Sequence, residues 1–229
     1  MPILEVKNLN VSYGGVKVLD DINFNLERGE TLAIVGPNGA GKTILLKSLL
    51  AQIKYEGQIK WAKGLEISYV PQRMDIETDI PIKVMEFFEL RGKNIGRDKV
   101  LQALKTVELD ESILNKGLGE ISVGQRQRIL VAWAVLGNPD VLLFDEPTAD
   151  IDIAGQESIY KLIHYLHHQL GLTIILVSHD LNVVYKYAHK VICLNRQRLC
   201  FGVPKEVLST EQLLKLYGGD KAFYQHEHH

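Results

Sequence analysis

Gly36-Pro37-Asn38-Gly39-Ala40-Gly41-Lys42-Thr43 lies between a continuous apolar run, Thr31 to Val35, and a helical stretch, Ile44 to Ile53. The run has the pattern of a strand buried on both faces. The glycines let the backbone curl so that successive N–H groups point into one anion-sized hollow. The helix that follows adds the positive end of its dipole. Lys42 then reaches the β- and γ-phosphates of a nucleotide, and the Thr43 hydroxyl ligates Mg²⁺.

A metal beside a triphosphate needs a carboxylate at the end of a second buried strand. Val141-Leu142-Leu143-Phe144-Asp145-Glu146 has that form. Asp145 holds Mg²⁺, through water, because the ion keeps much of its hydration shell. Glu146 stands one residue beyond the strand, where its carboxylate can accept a proton from an attacking water.

The rest of the chain fits around these two sites. Leu4, Val6, Val11, Tyr13, Ile22, Phe24 and Leu26 alternate as in a half-buried antiparallel sheet, interrupted at Gly14-Gly15, Asp20-Asp21 and Arg28-Gly29. Ile67 to Val70 is a short strand stopped by Pro71. From about residue 80 to 118, apolar residues recur at helical spacing, which predicts a mostly helical insertion. Strand character returns at Val141 to Phe144 and at Leu172 to Val177, on either side of a helix from Gly155 to Leu170. A short strand pair near Val191 to Phe201 and a helix from Pro204 to Tyr217 close the pattern. Strands alternating with helices imply an α/β chain with a mostly parallel core sheet, an N-terminal antiparallel piece and a helical subdomain insertion.

Composition narrows the class. At 229 residues, 46% hydrophobic and 24% charged, the chain is an ordinary globular protein. A net charge of −2 argues against a strongly basic nucleic-acid binder. The opening MPILEVKNLN lacks the basic start and apolar stretch of a secretory signal. The longest apolar run, Ile129 to Gly137, has nine residues, whereas a membrane helix needs about 20. The two cysteines, Cys193 and Cys200, match neither a disulfide framework nor a CxxC zinc pair, which suits a reducing cytoplasm.

With both sites in place, the sequence resembles the ATP-binding cassette family, the ATPase subunits of ABC transporters, over nearly its whole length. Ile121-Ser122-Val123-Gly124-Gln125, shortly before Asp145-Glu146, is similar to the family signature LSGGQ. The resemblance implies a P-loop NTPase fold, one ATPase domain over residues 1–229 and a helical subdomain over about 73–138. It implies ATP and Mg²⁺ as cofactors, with Gly36 to Thr43 around the phosphates. Ser122, Gly124 and Gln125 then close over the γ-phosphate bound to a second copy, so ATP joins a homodimer. Gln72 matches the glutamine that contacts Mg²⁺ and the attacking water. His179 matches the switch histidine on the γ-phosphate, and Tyr13 the aromatic that stacks on adenine. Asp152, in Ala149-Asp150-Ile151-Asp152, matches the loop joining the two nucleotide sites. Lys42, Gln72, Glu146 and His179 form the expected catalytic set, with Thr43, Gln72 and Asp145 on the metal.

Two departures from the family pattern stand out. Val123 replaces a glycine, and a β-branched residue adopts φ > 0 poorly. Asp150 adds a negative charge to the dimer-contact loop. Arg126 and Arg128 are read as surface charges on the signature helix.

The resemblance also implies integral membrane permease subunits, reached through a groove around Gln72 to Glu89, and indirectly an extracytoplasmic solute-binding protein. The expected location is the cytoplasmic face of the cell membrane, as a peripheral subunit, with no nucleic-acid partner. Phe87 and Phe88 are either core or docking residues. Ile80 to Phe87, Cys193 to Arg196 with Leu199 to Gly202, and His226-Glu227-His228-His229 together resemble zinc, manganese or iron importers. Iron-chelate uptake, a soluble non-transport ATPase and a nucleotide-gated module without turnover are the alternatives. The His-rich tail reads as a transition-metal ligand, a purification-tag remnant or a solvated terminus.

Overall fold

The structure, a computed structural model, describes residues 2–73, 81–92 and 95–217. Ile80 and the tail histidines His226, His228 and His229 lie outside the described residues. In chain order the strands are β1 (Leu4–Tyr13), β2 (Val16–Leu26), β3 (Thr31–Val35), β4 (Glu56–Trp61), β5 (Ile67–Val70), β6 (Val141–Asp145), β7 (Thr173–Val177), β8 (Lys190–Asn195) and β9 (Gln197–Gly202). The helices are α1 (Lys42–Leu49), α2 (Val84–Glu89), α3 (Arg97–Thr106), α4 (Val123–Val135), α5 (Ile153–Leu170), α6 (Leu181–Tyr187), α7 (Pro204–Val207) and α8 (Thr210–Tyr217). The chain divides into two compact units, one built from the chain up to Trp61 and from Val177 onward, the other from Ala62 to Leu176.

In the first unit β1 pairs antiparallel with β2 and with β4. The alternation of β1 changes parity on the way: Leu4 and Val6 are buried, then Leu9 and Val11. Asn8 at φ 49 and Asp21 at φ 50 absorb the shift on the two strands, and the Asn8 amide donates to Asp21 at 2.9 Å. Short polar side chains tolerate this left-handed backbone best. Hydrogen bonds from Asn8 and then Asn23 hold the exposed Asp21 carboxyl below its usual range. β3, buried at every residue, pairs parallel with β8, and β8 turns back antiparallel into β9.

β4 carries no strand signal in the sequence. It is an edge strand in which only Ile59 and Trp61 are even half-buried, so there is little apolar alternation to detect. The expected helix from Ile44 to Ile53 begins earlier, at Lys42, and ends at Leu49. The expected helix from Pro204 to Tyr217 is two helices, because the Ser209 hydroxyl accepts from the Gln212 N–H and starts a new one.

The two cysteines correct the sequence reading. They form a disulfide, with Cα atoms 4.8 Å apart. Their seven-residue separation spans the β8–β9 turn, and the antiparallel register sets Cys193 opposite Cys200. Cysteine counting sees spacing along the chain, whereas hairpin register decides this pair.

In the second unit β5 and β6 run parallel, with Tyr69 opposite Leu143 and Val70 opposite Phe144. The insertion is helical as expected, with α2, α3 and a 3₁₀ turn at Glu111–Asn115. Phe88 is fully buried and Phe87 nearly so; Phe87 packs on Phe88 and on Trp133 of α4. Both are core residues. Among the described residues, no helix is long and apolar enough to cross a membrane.

Truncating Phe88 leaves a cavity that its packed neighbours fill only in part. Phe88→Ala is expected to lower unfolding stability by about 3–5 kcal/mol in a denaturant titration.

Candidate nucleotide site

The first unit presents the glycine loop. β3 delivers the chain into residues 36–41, and Gly41 caps α1 in the left-handed region at φ 97. A side chain there would be strained and would also meet Leu19 at 2.7 Å. Gly36 is required by close approach: a Cβ would sit 2.0 Å from the Leu194 carbonyl oxygen at the end of β8. The Arg196 N–H donates to Ala40 O at 3.0 Å, and the Asp20 N–H to Arg196 O at 2.9 Å. The loop is thus braced by the β8–β9 turn. Asn38 and Gly39 remain exposed at its tip.

Lys42 is only 6% exposed. Its ammonium donates to the carbonyls of Gly36 at 3.0 Å and Pro37 at 3.1 Å, so the positive charge lies across the mouth of the loop. Thr43 follows in the first turn of α1, half-buried. Tyr217, at the end of α8, is mostly buried, and burial pushes its phenol up, offset in part by the nearby Gly36 backbone.

His179 stands two residues past the end of β7 and is exposed. Its neighbours fix it: the Ser178 N–H donates to Ile34 O at 3.2 Å, and Asp180 caps α6 through the Asn182 N–H at 2.8 Å. Tyr13 ends β1, half exposed.

The second unit presents the acids. Asp145 ends β6 and is 2% exposed. Tyr69 stands opposite Leu143, and Leu143 shares a sheet face with Asp145 two residues on. The Tyr69 hydroxyl accordingly donates to Asp145 Oδ2 at 3.2 Å. One step past the strand ends the same logic repeats. Gln72 and Glu146 each stand two residues beyond the Val70–Phe144 pair, and the Gln72 amide donates to Glu146 Oε2 at 3.3 Å. Glu146 has φ 48, a left-handed conformation uncommon for a glutamate and costly unless its surroundings impose it.

Asp150, the extra acid, is paired: Arg73 reaches both its oxygens, at 2.8 Å and 3.0 Å. Asp152 caps α5 by accepting from the Gly155 N–H at 2.8 Å. Neither Arg73 nor Tyr69 is singled out by sequence reasoning, because Tyr69 reaches Asp145 through strand register and Arg73 reaches Asp150 through the loops beyond the strand ends.

Ser122 and Gln125 form a reciprocal cap on α4. The Ser122 hydroxyl accepts from the Gln125 N–H at 3.2 Å, and the Gln125 side chain accepts from the Ser122 N–H at 3.0 Å. Val123 is the first residue of α4 and has no positive φ, so the site asks no left-handed conformation of it. A Cβ on Gly124 would meet nothing within 4 Å. Arg126 and Arg128 are not plain surface charges. Arg126 donates to Leu118 O at 3.1 Å. The Arg128 side chain is 14% exposed; it donates to Ser158 Oγ at 2.6 Å and to Val107 O. Both stitch α4 to its neighbours.

Residues 19–149 match the family model described as ABC transporter. The chain is 35% identical over 99% of its length, and 86% of the relative's, to the zinc import ATP-binding protein ZnuC of Haemophilus influenzae. It is 38% identical over its whole length, and 88% of the relative's, to ZnuC of Pasteurella multocida. Among solved structures it is similar to an inward-facing metal-chelate type ABC transporter, with a TM-score of 0.84 and 28% identity over 94% of this chain and 89% of that one.

Placing a methyl group on Gly36 forces the loop away from Leu194 O. Gly36→Ala is expected to reduce nucleotide affinity at least tenfold in equilibrium binding and to lower the melting temperature of the chain, whereas Asn38→Ala at the exposed tip should leave that temperature within a degree or two.

Proposed function

The chain belongs to the ABC transporter family, and from that premise we propose that it is the ATP-hydrolysing subunit of a metal-ion importer, working with separate membrane subunits. As a member of that family it is an ATPase. The metal cargo is supported by the names of its zinc-import relatives at 35% and 38% identity. The observation that carries the chemistry is the buried Lys42 ammonium laid across a glycine loop at the start of a helix.

Phosphoryl transfer asks mainly for positioning and charge neutralisation. The N–H groups of residues 36–43 and the Lys42 ammonium bind the triphosphate and offset charge gathering on the β–γ bridge oxygen. Tyr13 stacks on adenine. Glu146 orients the attacking water and takes its proton, and Gln72 holds that carboxylate in place. His179 fixes the γ-phosphate.

Thr43 hydroxyl, Asp145 carboxylate and Gln72 amide are hard oxygen donors, the set that Mg²⁺ prefers over softer ions. An Mg²⁺ ion held by these donors would supply charge neutralisation at the triphosphate.

The capped end of α4 offers Ser122, Gly124 and Gln125 to the γ-phosphate held by a second copy, and Asp152 lines that contact. ATP then joins two chains and hydrolysis releases them. The helical segment over about 73–138 serves as the subdomain that receives the membrane permease, which places the working chain at the cytoplasmic face of the membrane. An extracytoplasmic solute-binding protein delivers the ion to that permease.

Glu146→Gln removes the base and keeps the size and the Gln72 contact partner. It should cut ATP turnover by at least a hundredfold while retaining ATP binding, and light scattering should show an ATP-dependent dimer. Turnover at the parent rate would remove Glu146 from the mechanism. Likeness to a metal-chelate type transporter supports a second cargo, an iron chelate. Cells lacking the gene, when supplied with this chain, should regain growth on limiting zinc if the cargo is the free ion, and on a ferric chelate if it is not.

A further inference from the structure

The outer face of α5 carries three histidines, His164, His167 and His168, none of which the nucleotide chemistry uses. The opposite face buries Ile159, Tyr160, Leu162, Ile163 and Leu166, so the helix is anchored and these rings are held on a fixed support. His164 and His168 are both exposed. They stand four residues apart, one above the other on the helix, and their ring centroids are 4.2 Å apart, edge to face.

We propose that His164 and His168 form a two-histidine chelate for a divalent transition ion such as zinc. Imidazoles four residues apart on one helical face are a recurrent ligand pair for zinc, and neutral imidazole suits zinc, copper and nickel. His167 supports the pair without ligating. Its Nδ1 lies 3.0 Å from Leu172 O, and a carbonyl can only accept, so Nδ1 carries the proton and the ring is fixed. That ring packs edge-on against His168 at 4.8 Å and so sets the orientation of His168.

The electrostatics favour a cation. His168 lies in the last turn of α5, which ends at Gly171 in the left-handed conformation, where the helix dipole presents its negative end. The nearest basic side chain along the helix, Lys161, is already paired with Glu157 at 2.8 Å. Among the described residues no three metal-ligating side chains converge, so water completes the coordination and the ion exchanges readily. The site stands on the helical spacing and exposure of these two imidazoles and does not depend on the metal-import reading.

The test uses the full chain with His226, His228 and His229 changed to Ala, which removes the other histidine cluster. Zinc is titrated without nucleotide against a chromophoric zinc indicator. One zinc per chain is expected, with His164→Ala or His168→Ala each weakening it at least tenfold and His167→Ala weakening it less. His164→Gln, which preserves helix propensity and polarity, should match His164→Ala, and circular dichroism should show every variant folded. Absence of zinc binding in the tail-substituted chain, or affinity unchanged in the His164 and His168 variants, would overturn the proposal.

Discussion

The glycine loop exists because a backbone carbonyl occupies the space where a side chain would otherwise be. Leu194 O lies 2.0 Å from the position of a Gly36 Cβ, and two residues on, Arg196 donates to Ala40 across the same gap. The end of β8 is therefore the floor of the loop. Everything that sets β8, including its parallel pairing with β3 and the Cys193–Cys200 link to β9, also sets where the loop amides point. The buried Lys42 needs that floor as well, since its ammonium is satisfied by loop carbonyls whose positions the contact fixes.

A similar economy governs the acids. Parallel register on β5 and β6 hands Tyr69 to Asp145 and Gln72 to Glu146 by one rule, side chains two residues apart on one face. Glu146 then adopts φ 48, which an unconstrained glutamate would avoid. Its amide partner and the paired Arg73 and Asp150 hold the segment in that shape. The Glu146 carboxylate is thus fixed by its neighbours, the kind of preorganisation that electrostatic catalysis requires.

Much of this was legible in the chain because short-range physics wrote it. The glycine loop between an apolar run and a helix, the acids closing a buried strand, and Ser122 with Gln125 at a helix start are all local signals. What was not legible depends on pairing between distant segments. β4 hides because an exposed edge strand needs no apolar alternation. The disulfide hides because hairpin register, not spacing, opposes the two cysteines. Arg128 looks like a surface charge until α4 packs, whereupon it answers a carbonyl and a hydroxyl at once.

Val123 shows how a motif can be misjudged from its consensus. A glycine in a signature suggests a backbone demand, yet the position is the first turn of a helix, where any residue with ordinary φ fits. The substitution therefore acts through bulk and not through backbone. Its side chain is 48% exposed and stands beside a helix end whose next residue has open space around it. An isopropyl group there leaves the Ser122–Gln125 cap untouched, because that cap uses the serine hydroxyl and two backbone N–H groups. What it changes is the surface offered outward. Val123 therefore adds one β-branched side chain to the outward surface of α4 where the family signature carries a glycine, and it leaves the local fold of the helix start alone.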